Sequence, residues 1–410
     1  MLADLYLDVA RRFVPIPTAP FHEHLVLAEM ERYAAERPDL HCLSDPFGNL
    51  HLRLGAAAPG IVLTAHLDHP GLALAAGDGG DWFFHSLGGI PTELTRGAGV
   101  LVHDHQSTRP IARGRVLAYL EEGAPGDPGG RPAFRVRLDD PVPGARAGEI
   151  FATWDLPGFE LSGGRLSGRA CDDLAGVAVA LSVLEALRAD PAAGIGVLLT
   201  RAEETGFGGM LAALDGGYLD RNPLYVNIEC SSSLAGAPLG DGPVIRVGDR
   251  RWLFDAAVTA ALAGAAEDLG SQRPTFRYQR RLMDGGTCEA TALCRAGLRA
   301  GAVALPLENY HNRGGKKLRA EAVAVEDAAS LVELLAQLAR DPQSAKASAV
   351  GELDALLEAR RGWQGERLRA TAPGASERPL MGWDRGSPPP CGPRPVRRWS
   401  TPRRPPGRGR

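Results

Sequence analysis

Two histidines, His66 and His311, and five acids, Asp68, Asp172, Glu203, Glu204 and Glu229, stand where apolar runs give way to polar loops. GIVLTA runs into His66-Leu67-Asp68, GIGVLLTRA into Glu203-Glu204, LYVNI into Glu229, and LRAGAVALPLENY into His311. Asp172-Asp173 opens the helical stretch DLAGVAVALSVLEALRAD. If the runs are strands of one open parallel sheet, their carboxyl ends share an edge, and ligands bind beyond that edge. Imidazoles and carboxylates gathered there make a metal site: two imidazoles and three carboxylates can hold two divalent ions, with one carboxylate shared. Two ions about 3.5–4 Å apart polarise a carbonyl and activate a shared water, which suits amide hydrolysis. A base that is not a ligand is still required. Adjacent acids at a strand end can fill both roles, since neighbouring side chains leave in different directions. Asp68, two residues beyond His66, is placed to fix the tautomer of that imidazole.

Taken singly, each feature also has an ordinary reading. A His-x-Asp pair is commonly a surface pair, and Asp172-Asp173 suits a helix N-terminus, where acids are favoured. Glu203-Glu204 reads equally as a solvated turn, Glu229 as the partner of an arginine, and His311 as a loop residue. These readings would all have to hold at one sheet edge, so their concurrence carries the argument.

The elements around these residues follow from periodicity. LVLAEMERYAAER (25–37) has helical apolar spacing, and HCLSDPFGNLHLRL (41–54) reads as a hairpin turning at Pro46-Phe47-Gly48-Asn49. Strands are predicted at 60–66, 194–200, 224–228 and 298–305, and helices at 173–190, 254–269 and 321–341. Strand and helix alternate, which predicts an α/β fold: a doubly wound, mostly parallel sheet flanked by helices. Between residues 71 and 165 Gly and Pro become dense, and short β-type runs recur (DWFFHSL, GVLVHDH, RGRVLAYLEE, AFRVRLDD, EIFATW). That texture predicts a small inserted β-barrel-like domain. The expected organisation is a catalytic domain from 1–70 and 166–345, an inserted β-domain at 71–165 serving as assembly surface or lid, and a tail at 346–410, largely disordered from about residue 371.

The chain has 410 residues, of which 44% are hydrophobic and 23% charged, an ordinary balance for a large globular core. No apolar run approaches the ~18–20 residues that span a bilayer, so a membrane role is not expected. Cys42, Cys171, Cys230, Cys288, Cys294 and Cys391 form no CxxC pair, which argues against a disulfide scaffold and for a reduced cytoplasm. The net charge of −3 is uneven. Residues 371–410 hold nine Arg against Glu377 and Asp384, a balance of +7, so the preceding 370 residues carry −10. A body that acidic disfavours nucleic acid. The tail also holds ten Pro and six Gly, too little apolar content to repay ordering.

The order of motifs resembles the co-catalytic metallopeptidases of the tetrahedral (TET-type), or glutamyl and deblocking, aminopeptidase family. TAHLDHPG, CDDLAG, RAEETGFGGM and DGGTCEA carry the likeness, which extends from about Pro17 to Leu338, and FHSLGGIP is similar to the family's entry into its inserted domain. The resemblance implies that His66 and Glu229 hold one metal and Glu204 with His311 the other. It implies further that Asp172 bridges them, that Glu203 is the general base and that Asp68 orients His66. It also implies two divalent ions per chain (Zn, with Co or Mn as alternatives), a peptide substrate, and homo-oligomers from dimers to dodecamers. Three positions depart from the family pattern. Glu229 stands where Asp is usual, Cys288 occupies the Asp position of Gly-Gly-Thr-Asp, and His311 lies in LENYHNRGGKK rather than His-Ser-Pro.

The expected function is therefore a cytoplasmic metal-dependent exopeptidase that removes N-terminal residues through a hydroxide shared by two divalent ions. Glu229 keeps open an amidase, deacylase or carboxypeptidase on the same scaffold. Cys288 and the surroundings of His311 keep open a non-catalytic homologue that serves assembly or peptide binding.

Overall fold

The structure, a computed structural model, describes residues 1–340 except 56, 57, 79, 126, 128, 191–193, 234 and 235, and then residues 354–361, 364, 366–368, 370 and 371. The tail expected to be disordered from about residue 371 lies outside the described residues from 372 onward. Two compact units are separated at Ala355, and in the second the described residues are helical and exposed.

The first unit begins with α1 (Leu2–Phe13) and α2 (His24–Ala35). In α1 the spacing of Tyr6, Val9, Ala10 and Phe13 makes one apolar stripe, and all four are buried. Asp4 in its first turn and Arg11 and Arg12 in its last suit the helix dipole. Then come β1 (Leu40–Ser44), β2 (Leu50–Leu54) and β3 (Ile61–His66). Six strands follow: β4 (Gly71–Asp78), β5 (Asp81–Leu87), β6 (Gly99–His103), β7 (Ala112–Leu120), β8 (Ala133–Leu138) and β9 (Phe151–Trp154). They close into a barrel in the order β4-β5-β8-β7-β6-β9, around a core that includes Leu72, Phe84, Val102, Phe134 and Trp154. Closure removes the exposed edges that an open sheet of this size would present.

After the barrel the chain forms β10 (Glu160–Ser162), β11 (Arg165–Gly168), α3 (Cys171–Leu187), β12 (Ile195–Thr200), α4 (Gly208–Asp215) and β13 (Leu224–Ser232). It continues through β14 (Val244–Asp249), α5 (Ala256–Gln272), β15 (Gln279–Met283), α6 (Glu289–Arg295) and β16 (Ala300–Leu307). The unit ends with the two-residue strands β17 (Arg313–Gly314) and β18 (Lys317–Leu318), then β19 (Glu321–Ala324) and α7 (Val325–Arg340).

The main sheet has the order β1-β2-β12-β3-β13-β16-β14-β15. Its centre is parallel: β3 pairs with β12 and β13, and β13 with β16. Every residue of β12 and β16 is buried, as expected for strands covered on both faces. α3 is buried on almost every side and packs against α1, α7, β3 and β13. The α/β class and the barrel expected from sequence are both present. Among the described residues no helix is long and apolar enough to cross a membrane.

The elements differ from expectation in places. The helix predicted over 321–341 begins at Val325, because Glu321–Ala324 pairs antiparallel with β11 and extends a small sheet instead. Tertiary pairing overrides local propensity there. α1 and the strands β4, β14 and β15 were not anticipated from the apolar pattern.

Candidate metal centre

The parallel register brings the strand ends level. His66 of β3 stands opposite Thr200 of β12, one short turn before Glu203 and Glu204. Asn227 pairs with Thr64, so Glu229 two residues later reaches the level of His66. Asp172 lies at the start of α3, and His311 in the loop after β16. The five expected ligands and Glu203 therefore converge on one edge, and His66, Asp172, Glu203 and Glu229 are all less than 10% exposed.

The distances show how they share space. His66 Nε2 lies 3.5 Å from Asp172 Oδ1 and 4.0 Å from Glu203 Oε2. His311 Nε2 lies 3.7 Å from Asp172 Oδ2 and 3.2 Å from Glu204 Oε1. Three compact triads result: His66, Asp172 and Glu229; Asp172, Glu204 and His311; and His66, Glu203 and Glu204. Within each the candidate ligand atoms are all less than 4.8 Å apart. A fourth group joins Asp172, Asp173 and Cys230. Asp172 belongs to the first two triads and turns one oxygen toward each histidine.

Asp68 meets His66 differently from expectation. The imidazole Nδ1 donates to the backbone carbonyl of Asp68 at 3.1 Å, while the nearer carboxylate oxygen stands 3.7 Å away. A carbonyl only accepts, so Nδ1 carries a proton, and Nε2 is the ring atom that faces Asp172. The Asp68 carboxylate instead accepts the N–H of Glu203 at 2.9 Å and of Glu204 at 3.0 Å. It sets the turn that aims both glutamates.

The electrostatics are those of a crowd of buried carboxylates. Burial pushes the Glu229 carboxyl up to about 8 and holds Glu203 well above the usual carboxylate range. Burial works against protonation of His311, but Glu204 and Asp172 outweigh it and push the imidazole up to about 10. Asp172 is held below its ordinary value, burial being offset by His66 and His311. Asp172 Oδ1, Glu229 Oε1 and His311 Nε2 are buried without hydrogen-bond partners. Unpaired buried donors and acceptors are costly, and cations coordinated by these atoms would satisfy them. The set is nitrogen and oxygen only, which suits Zn, Co or Mn. The residues thus fit divalent cations.

Several residues that hold the site were not singled out from sequence. His69 places Nδ1 at 2.6 Å from the Asp172 carbonyl and Nε2 at 3.1 Å from Asn312 Oδ1. Glu23, fully buried, accepts the N–H of Ala202 at 2.9 Å and the Nε of Arg201 at 2.8 Å, anchoring the residues just before Glu203. Glu321 accepts the N–H groups of both Asp172 and His311. His69 was visible beside the His66-Leu67-Asp68 motif; Glu23 and Glu321 carried no spacing signal. Cys288 is buried and donates its N–H to Asp249. Glu289 next to it is also buried, and burial raises it to about 7. His103 packs on Phe151 and reaches Thr153, and His105 contacts His22, consistent with ordinary polar roles for both. A cavity of about 240 Å³ adjoins Glu229 and is walled by Arg246, Met283, Thr287 and Tyr310.

The parallel α/β sheet gathers imidazoles and carboxylates at its carboxyl edge, and the barrel is inserted after β3. The family model of M42 glutamyl aminopeptidases matches residues 143–334, in keeping with a peptide hydrolase. Solved structures share the fold. TET1 peptidase of Pyrococcus horikoshii is 22% identical, with 82% of this chain and 99% of that one covered at a TM-score of 0.65. The aminopeptidase APDkam598 of Desulfurococcus kamchatkensis is 22% identical, covering 83% and 96% at 0.65. A TET aminopeptidase of the Thaumarchaeota archaeon SCGC AB-539-E09 is 16% identical, covering 84% and 99% at 0.69.

Proposed function

We propose that the chain is a dinuclear metal aminopeptidase that removes N-terminal residues from peptides. His66 and Glu229 would hold one divalent cation, Glu204 and His311 the other, and Asp172 would contribute to both. The single observation that carries this reading is the placement of the two Asp172 oxygens, 3.5 Å from His66 Nε2 and 3.7 Å from His311 Nε2, with Asp172 Oδ1 and His311 Nε2 unpartnered.

Cations held there would supply Lewis acidity toward the scissile carbonyl and would make a nearby water more acidic. Glu203, raised by burial and 4.0 Å from His66, takes a proton from that water and passes it to the leaving amine. Asp68 fixes the direction of Glu203 through its backbone N–H. The cavity beside Glu229 receives the side chain of the first residue, with Arg246 in its wall. Zinc is the expected ion, with Co and Mn suited to the same ligands. The assembly is a homo-oligomer, in keeping with a structural relative described as a dodecamer. The setting is the cytoplasm, in keeping with the free cysteines among the described residues.

Metal analysis and a substrate panel test the reading together. Two ions per chain and hydrolysis of aminoacyl anilides are expected, with activity lost to a chelator and restored by Zn or Co. Fewer than two ions per chain would support the non-catalytic alternative. Hydrolysis of N-acyl amino acids in place of anilides would support the deacylase alternative that Glu229 keeps open.

A further inference from the structure

Glu321 is fully buried, and its two oxygens point to different halves of the candidate centre. Oε2 accepts the backbone N–H of Asp172 at 2.9 Å, and Oε1 accepts the backbone N–H of His311 at 2.8 Å. The strand that carries it is built to make this reach. β19 pairs on one side with β11, where Gly168 stands opposite Glu321, four residues before Asp172. On the other side Ala322 bridges to Glu308, three residues before His311. The loop around His311 needs such a restraint, since Asn309, His311 and Asn312 all adopt left-handed backbone, at φ 55°, 53° and 58°. Left-handed backbone is uncommon outside glycine, and three such residues within four positions make the loop costly to hold. Asn312 then carries the link back, with its amide nitrogen on the Arg169 carbonyl and its oxygen on His69, which itself reaches the Asp172 carbonyl.

The geometry points to Glu321 as a positioning residue that sets the spacing between Asp172 and His311 and so governs affinity for the cation those two share with Glu204. The inference rests on the dinuclear reading above and extends it to a residue that touches neither ion. His66 and Glu229 are placed by β3 and β13 without Glu321. Asp172 alone links Glu321 to their triad, whereas Asp172 and His311 both link it to the second. Disturbing Glu321 therefore weakens the second cation more than the first.

Titration of metal-free full-length protein with Co(II), followed by calorimetry and visible absorption, reads the two affinities separately. In Glu321→Gln one amide oxygen remains to accept one N–H, and the amide nitrogen faces the other. Unfolding by circular dichroism checks that the fold persists. The expected result is one ion bound nearly as in the wild type and the second bound about 10- to 100-fold more weakly, with a matching change in its absorption bands. Equal loss at both ions, or no loss at either, overturns the assignment. If Glu321→Gln does not fold, Glu321→Asp decides on the same terms, because the shorter acid reaches only one N–H. A wild-type chain that binds fewer than two ions overturns the dinuclear reading and this one with it. A wild-type chain that binds two while both variants match it overturns this inference alone.

Discussion

The backbone oxygen of Gly89, in the loop leaving barrel strand β5, accepts a hydrogen bond from His311 Nδ1 at 2.8 Å. The barrel therefore completes the candidate centre: it fixes the tautomer of His311 and leaves Nε2 to face Glu204 and Asp172. Neighbouring Gly88, at φ 81°, lies against Glu204, where an added Cβ would stand 3.2 Å from the Glu204 Cβ. At Gly89 a Cβ would stand 2.7 Å from His311 Nδ1, closer than real contacts allow. Gly89→Ala is expected to push the imidazole aside and to lower kcat/KM on the order of 10- to 100-fold. Steady-state kinetics at saturating metal, beside the unfolding temperature, checks this. An unchanged kcat/KM would show that the barrel loop does not position His311.

Asp68 makes a second separable contribution. Its carboxylate satisfies two N–H groups at once, those of Glu203 and Glu204, in a fully buried place. Asp68→Asn leaves one oxygen for two donors and sets an amide nitrogen against the other. Stability should fall by about 2 kcal/mol, the size of a buried charge-assisted hydrogen bond. The carbonyl contact to His66 belongs to the backbone and survives, so the His66 tautomer is kept. The variant should therefore bind metal at His66 yet turn over about 10-fold or more slowly, because both glutamates lose their aim. Denaturant unfolding and kcat at full metal loading measure the two effects; weakened metal binding at His66 with unaltered kcat would reverse the assignment.

The seven candidate residues were legible because each sits at the end of a run whose period names it as a buried strand or helix, and parallel strands end together. Asp68 was located but its contact was not: which of its oxygens reaches His66 depends on the path of the chain after β3. Glu321 was hidden for a different reason. Its four-residue strand is stable only through pairing with β11, and its own sequence EAVAVED continues smoothly into α7. Glu23 lies in the short stretch before α2, where nothing local marks it as the acid that will reach Arg201 and Ala202. α1 was missed although its stripe of Tyr6, Val9, Ala10 and Phe13 is regular, and it packs on α3 and α7. The candidate residues thus stood out at element ends, whereas those that hold them arise from contacts between elements.

A cluster of histidines between α2 and the barrel predicts the acid side of stability. His22 donates or accepts at 2.9 Å with His105, stacks on Phe151 and lies near His24. Burial, with His105 and His24 beside it, lowers His22 to about 3; burial and His105 lower His24 to about 4; burial and Arg169 lower His103 to about 3. Arg201 adds to the effect on His22 and His24, and Asp104 and Glu149 face His105 with the opposite sign. In the unfolded chain these rings take up protons near pH 6.5. Between about pH 6.5 and 3 the unfolded state binds more protons, so the stabilisation is full above 6.5 and is lost as the pH falls through this window. His22→Phe keeps the stack on Phe151 and removes one titrating ring. Its apparent Tm should fall less than that of the wild type between pH 7 and pH 5, and a parallel decline in both would exclude the cluster as the cause.

Glu203→Gln separates the proposed base from the proposed ligands. Glu203 stands 4.0 Å from His66 Nε2, farther than Asp172 does, and its N–H is held by Asp68, so the amide variant keeps its place in the turn. Gln matches Glu in shape but cannot take a proton from water. Removing a general base costs on the order of 10²- to 10⁴-fold, so kcat should drop by that factor. Metal content should stay at the wild-type value, because the triads of His66, Asp172 and Glu229 and of Asp172, Glu204 and His311 remain whole. If Glu203→Gln instead loses an ion while the reloaded protein turns over normally, Glu203 is a ligand and the proton passes through another acid, such as the buried Glu289 that acts on Glu203 electrostatically.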